Sequence, residues 1–338
     1  MDKIDSRIRA LLARANNINA VAGVKKYIFA EGKAKGMEAV EVKNGAGLVF
    51  HVLPERGMSI GEASFMGVNV AYMSKGGYTS PEYMGANGVN FARAYNGGLM
   101  YTCGFSQVGA ECDDEGEHLY CHGVAGGIKA ENFSAVTDMS GGVPVMRVKG
   151  DIREARLFGE NIVLTREITV NYGENTIYVD DTVKNEGYKT SPFMILYHCN
   201  FGYPLLSEDA RVYTSAVKSY PINPFTAKEM DKYTELIAPD DDYFERVYAH
   251  VPCGESSEAY AGIRNEAMGI DACVHFDSNE LSELLQWKSM GSGDYALGLE
   301  PANCRVGGRA SEREAGRLKY IEPGEIKHIG LKIKFKTI

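Results

Sequence analysis

Over most of its length the chain alternates apolar and polar residues with a period of two. In Leu48-Val49-Phe50-His51-Val52, positions 48, 50 and 52 share one face. Ile162, Leu164, Ile168 and Val170 share a face, with Val163, Thr165, Glu167 and Thr169 opposite. Near the C-terminus Ile329, Leu331, Ile333 and Phe335 point one way and Lys332, Lys334 and Lys336 the other. Successive side chains of a strand project to opposite faces, so each stretch predicts a strand packed on one side and wetter on the other. Helical spacing is sparse. Ile4, Ile8, Leu11 and Leu12 predict one amphipathic helix over residues 3–15.

The connections set the topology class. Asn171-Tyr172-Gly173-Glu174-Asn175 separates two predicted strands, and Glu322-Pro323-Gly324-Glu325 separates two more. Neither turn can hold a crossover helix, so the strands they join are predicted to be antiparallel neighbours. The 38 glycines suit a fold rich in turns and bulges. Many strands and few helices favour sheet packed on sheet. The reading is an all-β fold, a large antiparallel β-sandwich with a short N-terminal helix. Residues 1–338 are expected to form one domain, with residues 1–25 as a helical extension. The weakly patterned segment 222–262, with its acidic run Asp240-Asp241-Asp242, reads as long loops around that domain.

Charge and cysteine content narrow the classes of partner. Lys plus Arg number 36 against 45 for Asp plus Glu, a net charge of −9. That balance argues against nucleic acid or an anionic membrane surface, which a basic field would have to attract. The seven cysteines are Cys103, Cys112, Cys121, Cys199, Cys253, Cys273 and Cys304. An odd, scattered set predicts reduced thiols in a cytoplasm rather than a disulfide framework. The charged residues from Asp2 to Arg14 interrupt any signal-like apolar core, and no apolar run is long enough to span a bilayer. The Lys332/Lys334/Lys336 face looks solvated, while other sheet edges could pair between two copies, which leaves a homodimer open.

Three segments carry polar side chains where a simple core strand would not. Along Phe193–Pro204, alternation puts Met194, Leu196, His198 and Asn200 on one face. A strand that begins apolar and ends in His and Asn suggests a passage from core to cleft; a hydrogen-bonded core histidine would give the same pattern. In Asp294–Asn303, Ala296, Gly298 and Glu300 share a face, leaving open volume beside one carboxylate. An edge-strand surface glutamate is the alternative, and Pro301 argues for a strand terminus there. Cys112, His118, Cys121 and His122 invite a zinc reading, but their spacing fits none of the common fingers or ribbons, and no metal is expected. His122 before Gly123 instead predicts a turn, where the missing Cβ would let a ligand approach. Arg56 before Gly57 could face a polyol or carboxylate, or the solvent. The chain has no phosphate loop, nucleophile elbow or His-Glu-x-x-His. Cys199 is a poor nucleophile partner for His198, since adjacent strand residues face opposite ways.

Taken together, these segments resemble the galactose mutarotase-like superfamily, and within it the uncharacterised branch of aldose 1-epimerase-related proteins. The residues that carry the likeness are Gly47–Pro54, Arg56–Ile60, Gly97–Gly104, His122-Gly123, Leu157–Glu160, Leu196–Leu206 and Gly298–Pro301. Tyr197-His198-Cys199-Asn200-Phe201-Gly202 and Gly298-Leu299-Glu300-Pro301 are the specific ones. The likeness runs from about residue 30 to the end.

The resemblance implies a β-sandwich that binds a monosaccharide in a cleft on one sheet and interconverts its anomers without a cofactor. It puts the general acid on His198, the general base on Glu300, and a sugar-holding role on His122. Arg56, Asn200, Gln286, Lys288 and Asn303 are the expected hydroxyl contacts, and Phe201 or Tyr203 the aromatic that stacks on the ring. Gln286 and Lys288 share a strand face, with Trp287 opposite. Nearby carboxylates are expected to keep His198 protonated near neutrality. Two other readings stand beside this one. The first is a sugar-binding module without turnover. The second is an isomerase or lyase for a modified or acidic sugar, which Lys288 and Arg56 in the cleft would favour.

Overall fold

The computed structural model describes residues 6–85, 88–252 and 257–338. Cys253 and residues 3–5 of the expected helix therefore lie outside the described residues. The helix is seen at Ser6–Ala15, and the chain enters its first strand at Gly23.

Three antiparallel sheets carry most of the strands. Strands Gly23–Ile28, Glu38–Lys43, Leu48–Leu53, Ser59–Phe65 and Val68–Asn69 form a five-stranded meander. An eight-stranded sheet runs, edge to edge, Ala210–Thr214, Glu258–Asn265, Ile270–Asp277, Ile326–Thr337, Thr176–Asn185, Asn161–Asn171, Val145–Ala155 and Glu131–Asp138. A six-stranded sheet runs Lys218–Pro221, Arg246–Val251, Glu283–Gly291, Asp294–Ala302, Met194–Phe201 and Tyr101–Phe105.

The inner faces meet in one apolar cluster. Phe50 and Ile60 enter it from the meander, Ile168, Val179 and Ile333 from the eight-stranded sheet, and Ile195, Tyr197, Phe201 and Leu297 from the six-stranded one. Burying each aliphatic side chain there contributes about 1.5–3 kcal/mol, which fixes the strand faces far more firmly than β-propensity does. The six-stranded sheet is packed on its other face as well. Met194, Leu196, Tyr101, Cys103, Leu285 and Ala302 form a second cluster there. The candidate site lies on this second face.

Two expectations need correction. The Glu322–Glu325 turn does not join antiparallel neighbours. The strand before it, Tyr320–Ile321, pairs with Ser191–Pro192, and the strand after it pairs with Thr176–Asn185 and Ile270–Asp277. A four-residue turn is as able to carry the chain between sheets as to close a hairpin. Segment 222–262 is also more than loops, since it contains strand Arg246–Val251 and enters strand Glu258–Asn265.

Six cysteines, Cys103, Cys112, Cys121, Cys199, Cys273 and Cys304, are unpaired. Among the described residues no helix is long and apolar enough to cross a membrane.

Candidate active site

Strand Met194–Phe201 is buried along its whole length between two neighbours. Its odd-numbered side chains enter the main core and Met194 and Leu196 the second cluster. His198 and Asn200 continue the second face where apolar packing gives out. Glu300 arrives on the adjacent strand, on the same face, because Gly298 is paired with Asn200 across the ladder. That ladder is interrupted between Leu299 and Ala302, where Pro301 has no N–H to donate. The strand nonetheless runs on to Ala302.

The two side chains meet. Nε2 of His198 lies 3.2 Å from Oε1 of Glu300. His198 is 6% exposed and Glu300 2%. The volume opened by Gly298 is taken by Glu300 itself, since a Cβ there would fall 2.3 Å from Oε1.

His122 completes the group from a turn in which it has φ +59° and Gly123 φ +71°. Its ring centroid is 5.8 Å from that of His198. The glycine serves the backbone and not a ligand: a Cβ on Gly123 would sit 2.5 Å from the Gln107 carbonyl oxygen and 2.7 Å from that of Gly104. Cys112, Cys121 and His118 stay apart as metal ligands, with His118 held by Asp113 and Glu111. Among the described residues no cluster of His, Cys, Asp and Glu could hold a metal ion.

Aromatic rings line the group. Phe91 lies 5.1 Å from both His122 and Tyr95. Tyr95 is 5.7 Å and Trp287 5.6 Å from His198, and Tyr72 is 6.1 Å from Trp287, all between ring centroids. Phe91, Tyr95, His122 and Trp287 are half-buried. The His198–Glu300 pair thus lies one side-chain layer below the surface. Trp287 is anchored at the rim by its indole N–H, which donates to Glu245 at 2.7 Å.

Burial dominates the electrostatics. It pushes Glu300 up to about 8, and the Glu245 carboxylate adds to the rise. It holds His198 down to about 3, with His122 lowering it further. His122 itself is brought down to about 4 by burial alone. An uncompensated charge in a dry site is costly, and buried side chains offer these groups no strong solvation. The expectation that neighbouring carboxylates keep His198 protonated is therefore overturned: desolvation outweighs them.

The remaining expected contacts divide. Asn200 belongs to the group, though it is fully engaged, donating to Gly98 and His198 carbonyls at 2.9 and 2.8 Å. Gln286 and Lys288 lie on the opposite face of the sheet. Register pairs Leu285 with Glu300 and Trp287 with Gly298, so the even positions turn away. There Gln286 donates to Tyr233 O, and Lys288 to Lys232 O and Glu235 O. Asn303 clamps backbone, accepting from Ile195 N at 2.8 Å and donating to Phe193 O at 3.0 Å.

Arg56 is fully buried behind the aromatic wall, with Nη2 donating to Ala94 O and Tyr101 Oη. Phe201 faces the main core, and Tyr203 is exposed. The rings that border His198 are instead those of Tyr95 and Trp287. Trp287 was readable as the one tryptophan of the chain, set opposite two polar residues. Tyr95, at the end of the short helix Phe91–Ala94, carries no periodic signal.

The architecture is that of the galactose mutarotase-like β-sandwich. A structure from Klebsiella pneumoniae, provisionally assigned as an aldose 1-epimerase, superposes with a TM-score of 0.86 at 23% identity, over 92% of this chain and 83% of that one. A galactose mutarotase-like protein from Clostridium acetobutylicum gives 0.68 at 14% identity, over 95% and 100% of the two chains. Galactose 1-epimerase from Lactobacillus acidophilus gives 0.59 at 14% identity, over 94% and 99%. No curated protein sequence matches. Within this fold class the chain belongs to the family described as Domain of unknown function (DUF4432), whose profile matches residues 34–335.

Proposed function

We propose that the protein is a carbohydrate-binding aldose 1-epimerase that interconverts sugar anomers by cofactor-free proton transfer. The observation that carries this reading is the side-by-side placement of Nε2 of His198 and Oε1 of Glu300 at 3.2 Å. Opening a hemiacetal ring needs a proton removed from O1 and one delivered to the ring oxygen. Both oxygens hang on the same carbon, so the acceptor and the donor must be neighbours on one surface. After the C1–O5 bond breaks, rotation about C1–C2 and closure give the other anomer. Two positioned proton transfers of ~10²–10⁴-fold each suffice for a reaction that already proceeds slowly in water. Phe91, Tyr95 and Trp287 supply apolar faces for the C–H side of a pyranose.

The acidic-sugar reading loses its support, because Lys288 lies on the other face of the sheet and Arg56 behind the aromatic wall. The rim carboxylate of Glu245 disfavours an anionic substrate further. The unpaired thiols support a reducing, cytoplasmic setting.

Polarimetry on freshly dissolved α-anomers of neutral aldoses tests the proposal. The protein should speed the decay of rotation, and Glu300→Gln should slow it by about a hundredfold or more while sugar binding by calorimetry persists. Binding without acceleration across a broad panel of sugars would point to a sugar-binding module. An unaltered rate in Glu300→Gln would remove Glu300 from the mechanism.

A further inference from the structure

Leu157–Glu160, one of the segments that carry the family likeness, takes no part in the candidate site. It forms the turn between strands Val145–Ala155 and Asn161–Asn171 of the eight-stranded sheet. Leu157 is 81% exposed and Phe158 94%. Tyr188, in the loop that follows strand Thr176–Asn185, is 97% exposed. These are the three most exposed large apolar side chains among the described residues. Pairing of Ile162 with Asn185 puts the turn and the loop at the same end of the sheet. Phe158 and Tyr188 line one open groove there, of about 570 Å³. A lone exposed apolar side chain is ordinary on a protein surface, but three gathered at one end of a sheet form a patch that calls for a cover.

Both rings are held out by ordered backbone. The Arg156 N–H donates to Glu160 O at 3.0 Å and the Gly159 N–H to Arg156 O at 2.9 Å, which closes the turn. The Arg156 side chain folds over bare Gly159, where a Cβ would lie 2.6 Å from its Nε, and reaches Glu117 at 2.8 Å and Glu160 at 3.1 Å. Phe158 itself has φ +63°, a left-handed conformation that local preference gives to glycine or asparagine and not to a bulky residue. Buried Asn185 fixes the other loop, accepting from Gly187 N at 2.8 Å and donating to Lys189 O at 2.9 Å on either side of Tyr188. Rings fixed in this way lose little freedom when a partner covers them.

Area, charge and shape select the partner. An aromatic side chain hides roughly 150–250 Å² when covered, so the two rings supply about half of the ~800 Å² that each side of a stable pair contributes. The groove is rimmed by both signs of charge, Arg153, Arg156 and Lys189 against Glu160 and Glu186. A partner of one sign, such as an anionic lipid surface or an acidic segment, would meet like charge on part of that rim. Closed two-fold pairing makes every contact twice, so a surface that pairs with itself must carry projection and recess together, and both signs of charge. This patch carries all of them. We propose that it joins two copies of the chain about a two-fold axis, with Phe158 of each copy seated in the groove that Phe158 and Tyr188 line on the other. The proposal goes beyond the epimerase reading and does not rest on it, since neither ring belongs to the His198 group.

Sedimentation velocity on the full chain, across micromolar to submillimolar concentration, tests this. The expected mass is twice the 37.0 kDa of one chain. Phe158→Gly suits the left-handed backbone and removes the ring, so it should raise the dissociation constant of the pair about tenfold or more with the circular dichroism spectrum unchanged. Tyr188→Ala, at a side chain almost wholly in solvent, should act in the same direction, and the two changes together should leave a single-chain mass. Ile28→Ala removes an apolar side chain that is 62% exposed on the meander and should leave the pair intact. A single-chain mass for the unaltered protein throughout that range overturns the proposal. So does a pair whose dissociation constant neither ring variant changes, because the copies would then meet through another face. A single chain that floats with phosphatidylcholine–phosphatidylglycerol vesicles, and ceases to do so in Phe158→Gly, would give the patch to a lipid surface and overturn the pairing as well.

Discussion

At the scale of single residues the site is set by what its neighbours leave room for. Glu300 reaches Nε2 of His198 because residue 298 is glycine and the carboxyl folds over the bare Cα. A Cβ there would lie 2.3 Å from Oε1 and 3.1 Å from Cβ of Trp287. Gly298→Ala should therefore displace the carboxyl and lower mutarotation about tenfold or more, with the circular dichroism spectrum and melting curve little changed. A variant of wild-type activity would show that the contact with His198 is dispensable. His198, Asn200 and Glu300 were legible in the sequence because each breaks an apolar alternation at a fixed parity. Tyr95 was not, since a one-turn helix shows no period. Arg56 misled because an arginine before a glycine turn looks the same whether its guanidinium ends in water or behind Tyr101.

At the scale of elements, alternation shows which residues of a strand share a face, and only pairing shows which face is which. Gln286 and Lys288 were correctly set opposite Trp287, yet the site lies on the tryptophan side. The register of Leu285 with Glu300 decides it, and that register joins residues without local sequence signal. The Glu322–Glu325 turn illustrates the same limit, because its length is compatible with a hairpin and with a change of sheet. Asn303 follows from this reasoning as a clamp on the start of the His198 strand, through Ile195 N and Phe193 O. Removing it leaves two buried backbone groups without that partner, at a cost of about 1–3 kcal/mol. Asn303→Ala should lower the urea midpoint accordingly while sugar affinity of the folded protein stays unchanged. A weakened affinity at unchanged stability would return Asn303 to the hydroxyl contacts.

At the scale of the whole molecule, one buried cation ties the sheets together beneath the site. Arg166 occupies an inward position between Leu164 and Ile168 on the eight-stranded sheet. It forms a two-pronged pair with Asp181 at 2.8 and 2.6 Å, both side chains being wholly buried. From the six-stranded sheet Tyr197 donates to Asp181 at 2.7 Å, and Thr102 accepts from Arg166 at 2.5 Å. The Gly57 and Met58 carbonyls, beside the meander, accept from the same guanidinium. Tyr197 adjoins His198, so the hub braces the reverse of the His198 strand. Position 166 has the parity of the inward residues Leu164 and Ile168, but was passed over in the sequence reading, and its partner was hidden because Arg166 and Asp181 meet only through the pairing of two strands. Arg166→Leu leaves Asp181 buried without its cation, which should cost about 3–5 kcal/mol in urea unfolding. The double variant Arg166→Met with Asp181→Leu should recover much of that loss, because the buried charge disappears with its partner. If the pair also sets the alignment of the sheets, the double variant will regain stability without regaining full mutarotation, because His198 and Glu300 depend on strand placement finer than packing alone supplies. Stability and activity restored together would confine the pair to bulk packing, with no part in aligning the site.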